Sequence, residues 1–231
     1  MLKWPYADPA TAPTNAPVHI GGTLDPITLL SAYQHGIFPW PNDSESVRWW
    51  SPDPRFVLLP QELRCPDSLH KVMRKKGWRV TVDQAFEAVM RECGKAPRPG
   101  QDGTWITEDI IKAYSELHRQ GYAHSVEVFW NDELVGGLYG VALGRLFHGE
   151  SMFHIKTDAS KVGFVALVQR LLACGFILID CQIPTQHLAS FGAFAIRRKQ
   201  FLEIVAQAQN EKPSANPWTT PLWPSTSTRP S

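Results

Sequence analysis

The hydrophobic period of this chain changes near Ala123, and that change limits the folds open to it. Ser125-Val126-Glu127-Val128-Phe129-Trp130 alternates apolar and polar residues, Asn131-Asp132 offers a turn, and Leu134 to Val141 and Leu146 to Phe153 follow with glycine breaks. A period of two places successive side chains on opposite faces of an extended strand, so the stretch reads as an antiparallel meander. Ala159 to Ala173 then reads as a long helix stopped at Gly175, and Phe176-Ile177-Leu178-Ile179-Asp180 as an apolar strand covered on both faces. Meander, helix and central strand in that order predict an α/β or α+β layout, and no internal repeat offers a solenoid in its place.

Upstream of Ala123 the punctuation is helical. Asp25-Pro26 opens the run Ile27 to His35 with a capping carboxylate and a proline at the first helical position, and Gly36 supplies a left-handed stop. Asp67 with Gly77, Asp83 with Gly94, and Thr107 with Gly121 bracket further helices, the last carrying Ile110, Ile111, Tyr114 and Leu117 at helical spacing. Both ends are rich in proline and poor in core-forming residues, so residues 1–17 read as an N-terminal arm and 211–231 as a disordered Pro/Ser/Thr-rich tail. Turn formers from Gly94 to Gly103 divide the remainder into a small N-terminal domain with a basic helix, 18–95, and a sheet-containing domain, 96–210.

With 231 residues, 43% of them hydrophobic, the chain is long enough for one large domain or two small ones around a real core. A net charge of +1 excludes a global field for nucleic acid, so any such partner needs a local patch. Residues 1–20 lack an apolar run that could serve in secretion, and Val162 to Cys181 is broken by Gln169, Arg170 and Gly175, so no membrane span and a cytoplasmic protein are expected. Cys65, Cys93, Cys174 and Cys181 lack zinc-ligand spacing and read as buried thiols of a reducing compartment, and the eight histidines show no ligand spacing, so no metal is assigned. No GxxxxGK[ST], GxGxxG or GxSxG string is present, which moves nucleotide hydrolysis, dinucleotide redox and serine hydrolysis out of the leading readings.

Three clusters carry chemistry. Gly36 to Pro41 with Trp49 to Arg55 gathers tryptophans and prolines into a rigid aromatic surface, which either clasps a planar or apolar ligand or fills a domain junction. Glu150 and Met152, and separately Asp180 and Gln182, stand two apart in extended chain and share a face. A carboxylate ending so apolar a strand must find a partner; either Gln182 supplies it, presenting its amide oxygen to an amine, or Asp180 merely binds loop amides. Arg64, Lys71, Arg74, Lys75, Lys76 and Arg79 against the single acid Asp67 form a basic run, with Lys71, Arg74 and Lys75 at helical spacing. Such a run is either a solvated face or a phosphate-backbone contact.

In order, Leu30 to Trp40, Trp49 to Arg55, Thr104-Trp105-Ile106, Ala123 to Glu127, Leu134 to Val141, Gly149 to Phe153, Ala159-Ser160-Lys161 and Leu178 to Gln182 resemble the leucyl/phenylalanyl-tRNA–protein transferase family over about residues 18–203. The resemblance implies an α+β fold with a GNAT-like acyltransferase domain, and transfer of Leu, Phe or Met from aminoacyl-tRNA to proteins beginning with Arg or Lys, marking them for N-end rule degradation. It further implies that Asp180 polarises Gln182 at the attacking amine and that Glu150 holds the ammonium or the basic N-terminal residue. Trp49, Trp50, Trp105, Leu138, Met152, Phe153 and Phe176 are expected to line the pocket for the carried side chain, and the basic residues from Arg64 to Arg79 to grip tRNA phosphates. Turning an aminoacyl ester into an amide is downhill, so no cofactor is expected, and the protein is expected to be a monomer. Two other readings compete: an acetyl-CoA-dependent GNAT acetyltransferase, which wants a Q/R-x-x-G-x-G/A loop not found before Ala159, and an RNA-binding module, which leaves Asp180 and Gln182 without a task.

Overall fold

The computed structural model describes residues 2–40, 46–96 and 104–223. In chain order its N-terminal elements are β1 (His19–Ile20), α1 (Pro26–Gln34), β2 (Phe38–Pro39), β3 (Arg48–Trp50), β4 (Arg55–Leu58), α2 (Asp67–Met73), β5 (Trp78–Val82), α3 (Phe86–Lys95) and α4 (Glu108–Arg119). The meander β6 (Ala123–Trp130), β7 (Glu133–Leu143) and β8 (Leu146–His154) follows, then α5 (Ala159–Ala173), β9 (Leu178–Gln182), α6 (Gln186–Ser190), β10 (Phe194–Ile196) and α7 (Arg198–Ala208).

Helix starts follow local chemistry. Asp25 accepts the Thr28 amide at 3.0 Å ahead of Pro26, and Thr107 accepts the Ile110 amide at 3.4 Å, as their sequences foretell. Asp83 does not cap α3. Its carboxylate accepts instead from the Ser125 amide (2.9 Å), and the amide of Ala85, just before the helix, donates to buried Glu127 (3.3 Å). Helix α2 is shorter than its brackets, so Lys71 lies on it while Arg74 caps it and Lys75 sits in the following turn.

Seven strands form one sheet in the order β10-β4-β9-β8-β7-β6-β5, antiparallel except for the parallel pair β8–β9; a small second sheet has the order β1-β3-β2. Alternation along β6 and β7 sends Val126, Val128 and Leu138 to the face covered by α5. Tyr139 and Val141 go to the opposite face, where they pack with residues of α1, α3 and α4. The architecture is α+β, as expected. No helix among the described residues is long and apolar enough to cross a membrane.

Two expectations need correction. Turn formers near residue 95 do not divide the sheet, because β4 and β5 come from before that point and pair with β9, β10 and β6. Strands of four and five residues, set among prolines and a basic run, are too short to display a period. Pro97 to Gly103, most of the expected boundary, lies outside the described residues, as do Pro41 and residues 224–231. Residues 211–223 are not a disordered tail: Leu222 is buried and the carbonyl of Trp223 accepts the Val80 amide at 2.7 Å, covering the outer edge of β5.

Gly140 packs so closely that a Cβ would collide with the His148 carbonyl and lie 2.5 Å from the Phe147 ring. Gly140→Ala should therefore destabilise the protein by about 3 kcal/mol through overpacking, read as a lower denaturant midpoint; an unchanged midpoint would contradict this packing.

Candidate active site

The parallel pair β8–β9 holds register through Leu146↔Leu178, Phe147↔Ile179 and His148↔Asp180, and then the strands part. The gap opens into a cavity of about 460 Å³, with Gly149, Glu150 and Met152 on one side and Cys181, Gln182 and Ile183 on the other. Bulges aim the side chains here. Tyr139 pairs with Ser151 and Gly140 with Gly149, so Glu150 is the extra residue of β8. Phe56 pairs with Gln182 and Val57 with Asp180, so Cys181 is the extra residue of β9. Gln182 itself has φ +63°, a left-handed turn that breaks the two-residue repeat.

Asp180 and Gln182 therefore do not pair through their side chains. The Asp180 carboxylate accepts two bonds from Arg55, Nε at 2.7 Å and Nη2 at 2.6 Å, one from His148 Nδ1 at 2.9 Å and one from the Gln182 amide at 2.9 Å. Asp180, Arg55 and His148 are almost wholly buried. Burial alone would raise the Asp180 pKa, but the Arg55 charge and its fork of hydrogen bonds hold the carboxyl well below the usual carboxylate range. Asp180 is thereby held as an anion at neutral pH.

Gln182 instead donates its side-chain amide to Glu150 Oε1 at 2.8 Å. The same oxygen accepts from Tyr33 at 2.7 Å, Tyr114 donates to Glu150 Oε2 at 3.3 Å, and the two tyrosine hydroxyls meet at 2.5 Å. Burial pushes the Glu150 carboxyl up to about 7; the Tyr33 bond opposes that rise and the Asp180 charge adds to it. Burial and the Glu150 charge push both phenols well above their ordinary values, so they act as donors. Burial, then the Asp180 charge, drive the Cys181 thiol far up, which removes it as a thiolate nucleophile.

Of the expected pocket residues, Trp105, Leu138 and Met152 line the cavity, joined by Phe38, Trp40, Phe147, Phe164 and Leu188. Trp49, Trp50, Phe153 and Phe176 do not. Trp49 is fully buried, bonded to the Gly21 carbonyl and packed on Trp4, and Trp50 stands edge-on to Trp40. Phe153 follows Met152 and so faces the other side of the sheet, while Phe176 precedes β9 and packs on Trp218. Arg64, Lys71, Arg74, Lys75, Lys76 and Arg79 are all exposed. Arg79 pairs with Asp132 at 3.1 Å and lies over the Phe129 ring.

Arg55, His148, Tyr33 and Tyr114 escaped assignment from sequence. Tyr114 reads as one of the apolar residues at helical spacing, Tyr33 lies inside the Ile27 to His35 run with no role of its own, and a lone arginine after a proline carries no pattern. The signal available was a requirement: the apolar strand ending in Asp180 needs a buried cation. Arg55→Met should cost about 3–5 kcal/mol at neutral pH, since it strands the Asp180 charge. The penalty should shrink on acidification, because a carboxyl without its cation is raised by burial and relieved by protonation as pH falls through that raised pKa. Denaturant midpoints of both proteins across pH measure this, and an equal loss at every pH would contradict it.

A family model described as "Leucyl/phenylalanyl-tRNA protein transferase" matches residues 57–206, and one described as its N-terminal domain matches residues 22–53. Proteins named leucyl/phenylalanyl-tRNA–protein transferase are similar to this chain in Pseudomonas fluorescens (54% identity, covering 89% of this chain and 91% of that one) and Shewanella baltica (48%, covering 94% and 91%). Among solved structures, a GCN5-related N-acetyltransferase from Kribbella flavida aligns at 12% identity with a TM-score of 0.38, covering 72% of this chain and 59% of that one. The family models together bracket Arg55 at their junction and take in Glu150, Asp180 and Gln182, and by these matches the chain belongs to the leucyl/phenylalanyl-tRNA–protein transferase family.

Proposed function

We propose that this protein transfers Leu, Phe or Met from aminoacyl-tRNA to the α-amino group of proteins that begin with Arg or Lys. In this reading it acts as a monomer in the cytoplasm, and the added residue marks its acceptors for N-end rule degradation. The observation that carries the chemistry is the Gln182–Glu150 hydrogen bond at the parted strands, beside an apolar wall that includes Leu138, Met152 and Phe164. With its NH2 group engaged, the Gln182 amide has its oxygen left to accept an N–H from the attacking amine.

The amine nitrogen bonds to the ester carbonyl carbon, the ester C–O bond breaks, and the amine proton ends on the departing ribose oxygen of the tRNA. Positioning and a proton carrier suffice for that exchange. Glu150, raised to about 7, suits the carrier's role near neutral pH. Asp180, locked as an anion by Arg55, serves as scaffold and as the charge behind Glu150. The apolar wall accepts unbranched-Cβ side chains and crowds Ile and Val, a discrimination worth about 1–3 kcal/mol per methylene. The exposed basic residues from Arg64 to Arg79 suit contacts to the acceptor-stem phosphates without reading sequence.

Three measurements test this reading. Incubation with Leu-tRNA and peptides starting with Arg, Lys or Ala should yield transfer to the first two only; transfer to Ala alone would refute the acceptor assignment. In the wild type, activity should rise with pH through about 7 as Glu150 loses its proton, and Glu150→Gln should be slow and lack that limb, with any remaining limb following the peptide amine. A Gln variant with the wild-type pH profile would remove Glu150 from proton transfer. Reversing Lys71, Arg74 and Lys75 to Glu should weaken binding of charged tRNA and reduce its salt slope by about one for each phosphate left unneutralised; an affinity insensitive to the changes would place the tRNA elsewhere.

A further inference from the structure

The segment from Glu211 to Trp223 runs across the α5 side of the sheet and is held at intervals along its length. Arg145 Nη1 bonds Glu211 at 2.5 Å, and the Ser214 amide donates to the Cys174 carbonyl at 2.9 Å. Arg170 of α5 gathers the carbonyls of Pro217 (3.3 Å), Thr219 (3.0 Å) and Pro221 (3.0 Å), and the Thr219 hydroxyl (2.8 Å). Leu222 is buried and Trp223 bridges to Val80. One arginine satisfying four oxygens fixes the backbone on either side of Trp218, so the position of the indole is set by its anchors.

Trp218 is held among three rings. It stacks on His124 at 3.7 Å with planes 5° apart, lies against Phe147 with centroids 5.9 Å apart, and meets Phe176 edge-on at 6.4 Å. The His124 ring is itself pinned, with Nδ1 2.8 Å from Asp83 Oδ2 and Nε2 3.1 Å from the Gly121 carbonyl. Phe147 is the consequential neighbour, because it lines the cavity. Gly140 is packed against the Phe147 ring, where a Cβ would come within 2.5 Å. With Gly140 beside it and Trp218 against it, the Phe147 ring has little room to turn, and the wall it forms is stiff.

We infer that Trp218, delivered by the C-terminal strap, is a positioning residue that sets the width of the aminoacyl pocket by bracing Phe147. Removing the indole opens a void into which Phe147 can turn, widening the pocket. A widened pocket grips a small side chain less closely and still accommodates a large one. The inference rests on the reading of this cavity as the aminoacyl pocket.

The test is the ratio of kcat/KM for Leu-tRNA over Phe-tRNA with an Arg-initiated peptide. Trp218→Ala should lower that ratio by about ten-fold, mainly through KM for Leu-tRNA, and Trp218→Phe should restore most of it. Leu222→Ala, which loosens the strap away from Phe147, should lower Tm and leave the ratio alone. If the alanine variant does not accumulate as folded protein, Trp218→Leu replaces it, with the same drop expected. A ratio unchanged in folded Trp218→Ala or Trp218→Leu, or shifted equally by Leu222→Ala, overturns the inference. Met152→Ala separates the premises: if it too leaves the ratio unchanged, the pocket assignment fails, whereas if it moves the ratio and the Trp218 variants do not, the bracing role alone fails.

Discussion

A guanidinium and a carboxylate with almost no access to solvent meet at the centre of this molecule. Arg55 of β4 grips Asp180 of β9 with two bonds, and His148 of β8 shares the Asp180 Oδ2 oxygen with Arg55 Nη2, so one anion ties three adjacent strands. Phe38 and Phe201 bracket the guanidinium, with Cζ 4.7 and 4.4 Å from their ring centroids, which joins the N-terminal part and α7 to the same point. Taking two charges out of water costs several kcal/mol per ion, offset here by paired bonds to both carboxylate oxygens and by the flanking rings, while Arg55 Nη1 has no hydrogen-bond partner among the described residues. Removing either partner leaves the other charge buried alone. Substitutions at Asp180 therefore confound stability with catalysis, and loss of activity there is no evidence that Asp180 touches the reacting atoms.

The pair also sets the character of its neighbour. Beyond His148↔Asp180 the strands part, and the next residues of β8 place Glu150 on a bulge facing Gln182 and two tyrosine hydroxyls. Both Glu150 and Asp180 are buried carboxylates, yet their environments drive their pKa values in opposite directions. Asp180 has a cation beside it and stays charged; Glu150 has neutral donors, burial and the charge of Asp180, and keeps a proton to near neutrality. In the proposed reading, such a split leaves one carboxylate to structure and gives the other to proton traffic.

Much of this was legible in the sequence, and the exceptions have physical causes. The meander, α5 and the capped helices α1 and α4 declare themselves because each rests on a period or a cap within a dozen residues. Asp180, Gln182 and Glu150 do gather at one place, but residues two apart share a face only along an unbroken strand. Two bulges and the left-handed φ of Gln182 redirect the partners, and neither bulge contains a glycine or proline at the redirected residue to announce it. Arg55 lies 125 residues from Asp180 in sequence, a separation no local pattern spans. The strap misleads for the opposite reason: its proline-rich composition resembles disorder, and its order comes from Arg170 and a few aromatic contacts rather than from any period.

The division of labour between the two carboxylates is the central claim, and carboxyl carbon resonances report it directly. With 13C-labelled Asp and Glu side chains, assigned through Asp180→Asn and Glu150→Gln, the account predicts that the Glu150 signal titrates with a midpoint near 7. The Asp180 signal should remain that of an ionised carboxylate from about pH 4 upward. An Asp180 signal titrating in the neutral range, with Glu150 already ionised below about pH 5, would contradict it.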